Sequence, residues 1–460
     1  MSGIIAAIST PPGKGGVAVI RVSGSGSLSL AERIFSSASG RALSLYPPRT
    51  QVYGYIINNE ERLDDCLVCY FPEGGSYTGE ETIEISCHGG ALISASVLET
   101  VIAAGARYAE PGEFTKLAFL NGSLTLTEAE AIGDLLEART RDQIRLASST
   151  SRSKLSEAIQ TIRNELTELL SDVYARIDYP EEDLGEFSDN DSLEMLLGIR
   201  KKISALTDSY RTGRAISEGI DTVICGRPNV GKSTLYNALL GEDAAIVTDV
   251  AGTTRDLLQS FVSLGRVMLR LTDTAGIRES SSDKVEKIGI DRTRARISDC
   301  DLILAVFDGS SPLCEEDREV IELLRSSSAV KICIINKSDL PSAFSREELP
   351  DLFHDTIVLC AGQDQSTARE LILRSVESHL TDESITVMSD PIVSSARQHG
   401  ALLRALSLVD TAIEGYRMGL PTDAASSDIE MALGAISEVD GRSVSEEVVA
   451  RIFSRFCVGK

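Results

Sequence analysis

The segment Gly226-Arg227-Pro228-Asn229-Val230-Gly231-Lys232-Ser233 carries the strongest chemical signal in the chain. It fits the pattern G-x-x-x-x-G-K-[ST], in which loop amides and the N-terminus of the next helix face a phosphate chain. Lys232 is spaced to reach the β- and γ-phosphates, and the Ser233 hydroxyl to ligate Mg²⁺. Asn229, Val230, Gly231 and Thr234 complete the expected contacts of this loop. Downstream lies Asp273-Thr274-Ala275-Gly276, where Asp273 is expected to hold Mg²⁺ through water and the Gly276 amide to lie near the γ-phosphate. Further on, Asn336-Lys337-Ser338-Asp339 follows a hydrophobic run. A carboxylate at Asp339 accepts hydrogens from guanine N1 and N2, which adenine cannot offer, so the set favours GTP over ATP.

Between the phosphate loop and Asp273 stands Thr248-Asp249-Val250-Ala251-Gly252-Thr253-Thr254. Thr254 is expected to complete the Mg²⁺ shell. After Gly276 the chain has Ile277, where Ras-like switches place a water-orienting glutamine. Isoleucine cannot orient water, so the catalytic group must come from elsewhere, and Glu279, Asp283 and Glu286 are candidates. Gly13-Lys14-Gly15-Gly16 is not a second phosphate loop: no Ser or Thr follows the lysine, and the segment precedes a strand.

The elements that must position these residues fall into zones. Residues 1–120 hold short β-branched runs, Val17–Ile20, Val52–Ile57, Leu67–Phe71 and Ile83–Ser86, separated by turn residues, which predicts an α+β domain. From Thr127 the period becomes helical, with Thr127-Glu128-Ala129-Glu130 as a capping box. Ile159, Ile162, Leu166, Leu169, Leu170, Val173 and Ile177 mark one face of a long helix ended by Tyr179-Pro180, and a further helix is expected over about Ser192–Tyr210. Val223–Cys225, Val267–Leu271, Leu302–Phe307, Ile332–Ile335 and Ile357–Leu359 are strands at α/β spacing. Helical periodicity returns over Val393–Phe456. The expected organisation is multidomain: an α+β domain over 1–120, an all-α helical domain over 121–217 and 381–460, and an inserted α/β, Ras-like P-loop G domain over 218–380.

The chain has 460 residues, 42% of them hydrophobic, and a formal net charge of −24. That field repels nucleic acid unless basic residues cluster locally. Nine cysteines without framework spacing suit a reducing compartment. Cys66-Leu67-Val68-Cys69 reads as strand rather than metal site, because no second ligand pair follows at zinc spacing. No apolar run approaches the ~18 residues of a membrane span, and no signal peptide precedes the first domain, so a soluble cytoplasmic protein is expected.

Over nearly its whole length the sequence resembles the MnmE (TrmE) family of bacterial tRNA-modification GTPases. Beyond the guanine-nucleotide motifs, the resemblance rests on Thr10–Gly16, Ile20–Gly24, Ser76-Tyr77-Thr78-Gly79-Glu80, Cys87-His88-Gly89-Gly90, Pro111–Thr115, Ala118–Gly122 and Phe456-Cys457-Val458-Gly459-Lys460. It implies a folate-binding, dimerising N-terminal domain, a helical domain and an inserted G domain, in a homodimeric GTPase stimulated by potassium. The ion would be ligated by Asn229, Thr248, Val250 and Thr253, mostly through backbone oxygens, and would neutralise charge on the phosphates in place of an arginine finger. The water-positioning glutamate would be Glu286, since one extra residue lies among Ser280, Ser281 and Ser282. For folate, 5,10-methylene- or 5-formyl-tetrahydrofolate, the resemblance points to Arg21, Glu84, Ser123 and Lys460, with Ser123 standing where the family usually has a basic residue. Cys457 matches a position considered catalytic in the family. The chain has Cys360-Ala361-Gly362 where the family tends to have Ser-Ala-Arg or Ser-Ala-Lys.

The implied activity is GTP hydrolysis that drives addition of an aminomethyl or carboxymethylaminomethyl group at C5 of the wobble uridine of tRNA, together with an FAD-dependent partner and without a membrane. A ribosome-assembly or RNA-binding GTPase is the alternative class. The charge of −24 and the lack of a Gly-x-x-Gly clamp in a basic setting weigh against it. An autonomous folate aminomethyltransferase would need more than the roughly 120 residues of the first zone.

Overall fold

The computed structural model describes residues 3–58, 60–151, 154–178, 188–241, 259–272, 296–382, 384–387, 389–420 and 422–460. The chain forms two compact units, one of Met1–Glu137, Thr150–Asp189 and Glu414–Lys460, the other of Ala138–Ser149 and Asn190–Ile413. The helical stretches on either side of the α/β region are thus divided between the units.

In the first unit the strands are β1 (Ile5–Ile8), β2 (Val17–Ser23), β3 (Phe35–Ser37), β4 (Val52–Asn58), β5 (Glu61–Phe71), β6 (Thr82–His88) and β7 (Arg107–Tyr108). They form a seven-stranded sheet in the order β3-β4-β5-β6-β2-β1-β7. Strand β7 lies parallel to β1, and the other pairs are antiparallel. Period-two alternation gives the sheet its core face: Ala18, Ile20 and Val22 of β2 are buried, while Val17, Val19 and Arg21 point the other way. Helices Ser27–Ile34 and Ala91–Ala103 lay Leu30, Val97 and Val101 on the core face. Each such fully buried side chain contributes roughly 1.5–3 kcal/mol of transfer free energy. Cys66 and Cys69 lie buried in β5, as the strand reading expects. The sequence reading misses β1, β3 and β7, which are too short, or too rich in alanine and serine, to show a pattern.

The helices of this unit include Glu113–Leu120, Leu126–Glu137, Lys154–Asp178, Thr422–Val439 and Glu446–Phe453. The long helix buries Leu155, Ile159, Ile162, Leu166, Leu169, Leu170 and Val173, but Ile177 is 38% exposed and leaves the expected face. The capping box also shifts from its expected place. Thr125 and Glu128 make it, with the Glu128 carboxylate accepting from the Thr125 amide at 2.8 Å and Thr125 Oγ1 accepting from the Glu128 amide at 3.2 Å. Thr127 is already inside the helix and donates its hydroxyl to the Val439 carbonyl at 2.9 Å.

In the second unit β8 (Ile220–Cys225), β9 (Gln259–Leu264), β10 (Val267–Thr272), β11 (Leu302–Asp308), β12 (Val330–Asn336) and β13 (Asp355–Val358) form a six-stranded sheet in the order β13-β12-β11-β8-β10-β9. All neighbours are parallel except β9 and β10. Both faces are covered, so β11 is buried along its whole length. Leu302, Leu304 and Val306 pack with Leu235, Leu239, Ile372 and Val376 of helices Lys232–Leu240 and Gln365–Leu380. Ile303, Ala305 and Phe307 pack on the other face with Ile321 and Leu324 of helix Glu315–Arg325. Long helices Asp189–Ser217 and Ala396–Arg417 flank this sheet in sequence, the first running well past the expected Tyr210. Among the described residues no helix is long and apolar enough to cross a membrane.

Candidate nucleotide site

The phosphate loop lies between the C-terminal end of β8 and helix Lys232–Leu240, the strand–loop–helix setting that its sequence requires. Two of its glycines are sterically obligatory. A Cβ on Gly226 (φ 147°) would stand 2.3 Å from the Val306 carbonyl oxygen, and one on Gly231 (φ 101°) would stand 2.2 Å from Asn336 Nδ2. Asn229 takes the left-handed conformation at φ 64°, which asparagine tolerates better than most residues. Lys232 Nζ folds back over the loop to donate to the Gly226 and Arg227 carbonyls, both at 2.8 Å. Ser233 and Thr234 occupy the first turn of the helix, where its positive dipole end favours anions.

Asn336 ends β12 with its side chain buried between two loops. Its Nδ2 donates to the Val230 carbonyl at 2.9 Å, and its Oδ1 accepts from the Ala361 amide at 3.0 Å. This residue therefore registers the phosphate loop against the loop 360–364. Lys337 (φ 64°) pairs through Nζ with Asp308 Oδ2 at 2.7 Å. Arg227 approaches the same carboxylate at 4.0 Å and donates from Nε to the buried Asp317 at 3.1 Å. Burial works to raise the Asp308 carboxyl, but hydrogen bonds from Lys337 and Ser310 outweigh it and hold it below the ordinary aspartate value. Asp308 was not singled out in the sequence; its signal is an acidic residue ending an apolar strand one position before a glycine. Behind the loop, burial pushes the Cys225 thiol up to about 12, so it is a neutral packing group. Asp339 is exposed and holds contacts from Cys360 and Gln363.

The remaining expected nucleotide and ion contacts lie outside the described residues. These are Thr248, Asp249, Val250, Ala251, Gly252, Thr253 and Thr254, then Asp273, Thr274, Ala275 and Gly276, and the candidate Glu286.

In the first unit, Arg21 and Glu84 face each other in register across β2 and β6. Arg21 donates to Glu84 Oε1 from Nε at 3.0 Å and from Nη2 at 2.9 Å. Its guanidinium lies 5.0 Å from the centroid of Tyr77 and 5.6 Å from that of Phe114. The Phe114 amide donates to the Lys460 carbonyl at 3.3 Å, and the Gly112 amide to the Cys457 carbonyl at 3.4 Å. The final residues are held further by Ser9, whose hydroxyl donates to the Gly459 carbonyl at 3.0 Å. Ser123 reaches the same neighbourhood through the turn 77–79: a Cβ on Gly79 would meet Ser123 Oγ at 3.1 Å, and Asn121 donates to the Thr78 carbonyl at 2.8 Å. Sequence reasoning missed Tyr77 and Phe114 as the walls around Arg21, although both stand within stretches already singled out. The Cys457 side chain is exposed.

A mostly parallel sheet with a phosphate loop after one strand and Asn-Lys-x-Asp after another defines a P-loop protein of the guanine-nucleotide-binding class. The family model described as GTP-binding protein TrmE N-terminus matches residues 4–123, and that of the MnmE helical domain matches residues 126–457. The tRNA modification GTPase MnmE of Clostridioides difficile (strain 630) is 38% identical over 456 residues, covering 99% of each chain. That of Lacticaseibacillus paracasei is 41% identical over 466 residues, covering 99% of this chain and 98% of its own. That of Thermotoga maritima is 38% identical over 461 residues, covering 99% of each. The chain belongs to the MnmE family.

Proposed function

We propose that this protein hydrolyses GTP and uses the resulting conformational change in modification of tRNA at C5 of the wobble uridine. The observation that carries the reading is the double hydrogen bond of Asn336, which ties a complete phosphate loop to the loop beside Asp339. In this reading Lys232 swings from the Gly226 and Arg227 carbonyls to the β- and γ-phosphates. Ser233, Thr254 and Asp273 would hold Mg²⁺. Glycine at 231 lets the Asn336 side chain close against the loop. Asn229, Thr248, Val250 and Thr253 would hold K⁺, whose charge would stabilise the transferring phosphoryl group. Glu286 positions water.

The N-terminal unit, in the same proposal, binds a tetrahydrofolate, 5,10-methylene- or 5-formyl-, through Arg21, Glu84, Ser123 and Lys460. A guanidinium beside two aromatic rings and a carboxylate suits a ligand that is planar at one end and anionic at the other. The folate supplies the one-carbon unit. The protein acts as a homodimer with an FAD-dependent partner, and the organisation is an N-terminal domain over 1–120, a G domain over 218–380 and a helical domain over 121–217 and 381–460. Cys457 stands as a further candidate beside the folate residues.

The test is GTP hydrolysis by the purified protein in potassium and in sodium at equal ionic strength. Acceleration in potassium that an Asn229→Ala change abolishes supports the ion-loaded site; equal rates in both salts overturn it. Intact wobble-uridine modification after deletion of the gene would overturn the tRNA role.

A further inference from the structure

Resting on the reading of this site as a guanine-nucleotide site, we infer that Gln363 sets base specificity by fixing the plane of the Asp339 carboxylate. The two carboxylate oxygens are gripped separately. Cys360 Sγ donates to Oδ1 at 3.0 Å, and Gln363 Nε2 donates to Oδ2 at 3.3 Å. These groups and Ser338 line one cleft.

Gln363 itself is held by backbone. Its amide donates to the Cys360 carbonyl at 3.3 Å, and so does the amide of Asp364. Asp364 then caps helix Gln365–Leu380 by accepting from the Thr367 amide at 3.0 Å. The turn that carries Gln363 is pinned at its start by Ala361 on Asn336, so the glutamine starts from a fixed point on the same frame as the phosphate loop.

Guanine presents two adjacent donors, N1–H and the N2 amine, and a carboxylate meets both only in one plane. Hypoxanthine presents N1–H alone and accepts a carboxylate in many orientations. Each Asp339 oxygen keeps a free lone pair when it accepts from its neighbour, so the grip leaves room for the base. A side chain already fixed in its binding geometry loses less entropy when the ligand arrives, a saving of about threefold to tenfold in affinity for one immobilised side chain. The saving falls on guanine and hardly on hypoxanthine. Gln363 is therefore a positioning residue that acts through Asp339.

The experiment is calorimetric titration of the full chain with GDP and with inosine diphosphate. It uses the wild type, Gln363→Met, which keeps length but removes the donor, and Gln363→Lys, which restores a donor. Gln363 is exposed, so both variants are expected to melt like the wild type. The expected result is that Gln363→Met weakens GDP about threefold to tenfold, leaves inosine diphosphate nearly unchanged, and that Gln363→Lys recovers the ratio. Equal weakening of both nucleotides, or no change in either, overturns the inference while leaving the guanine site standing. Failure of the wild type to bind either nucleotide overturns the site and this inference together.

Discussion

Asn336 donates its side-chain amide to the Val230 carbonyl at 2.9 Å, joining the end of β12 to the middle of the phosphate loop. The same side chain accepts from Ala361, so one buried amide sets the spacing of the loops expected to meet phosphate and base. Removing it strands a buried carbonyl and a buried N–H, each costing about 1–3 kcal/mol. Asn336→Ala is expected to lower the melting temperature and weaken GDP at least about tenfold. Calorimetry and thermal melts check both; unchanged values would show that the loops hold their register without it.

Lys232 separates binding from folding. Its ammonium contacts the Gly226 and Arg227 carbonyls, which water replaces readily at the loop surface. Lys232→Ala is expected to cost less than about 1 kcal/mol of stability, yet to reduce kcat/KM for GTP by at least about 100-fold. Steady-state kinetics beside chemical denaturation separate the two effects.

Gly459 has no room for a side chain. At φ 98° a Cβ would stand 2.3 Å from the Ile8 carbonyl oxygen, whereas Gly40 at φ 73° has nothing within 4 Å. Both positions carry the conformational strain of about 1–3 kcal/mol for a non-glycine residue. Only Gly459→Ala adds a clash, so it is expected to destabilise more than Gly40→Ala and to free the final residues for proteolysis. Equal denaturation midpoints would refute the clash.

His88 titrates with a sign that can be checked. Its Nδ1 lies 2.6 Å from Asp64 Oδ1, and the hydrogen bond to Asp64 followed by its charge raises the imidazole above the ordinary value of 6.5. Because the folded value is the higher one, the stabilisation is fully present below about pH 6.5 and is lost as pH rises through the raised value. Proton NMR should show the raised His88 titration, returning towards the ordinary value in Asp64→Asn.

Much of the nucleotide site is legible in sequence because phosphate chemistry leaves few options at Gly226, Gly231, Lys232 and Ser233, and the following helix begins where the lysine does. Strand β11 shows because burial on both faces demands an unbroken apolar run, whereas β9, with Gln259, Ser260 and Ser263, is missed. What the sequence hides is tertiary. Thr127 satisfies the capping-box pattern as well as Thr125 does, and only the approach of the Val439 carbonyl shows that its hydroxyl is used elsewhere. The β7 dipeptide has no pattern to read and exists because β1 offers it an edge. Nothing in the spacing around Arg21 shows that Tyr77 and Phe114 stand beside it.

The bond from Ser9 to Gly459 spans 450 residues, which makes it a matter of timing on the ribosome. At about 5–20 residues per second, Gly459 is synthesised roughly 20–90 seconds after Ser9. For that interval the end of β1 and the start of helix Glu113–Leu120 wait without the C-terminal turn that contacts them. Ile5, Ala7, Ala109 and Phe114 already form a small buried cluster of their own. A translational pause late in the message would lengthen the time in which chaperones and proteases meet the chain before Gly459 reaches Ser9.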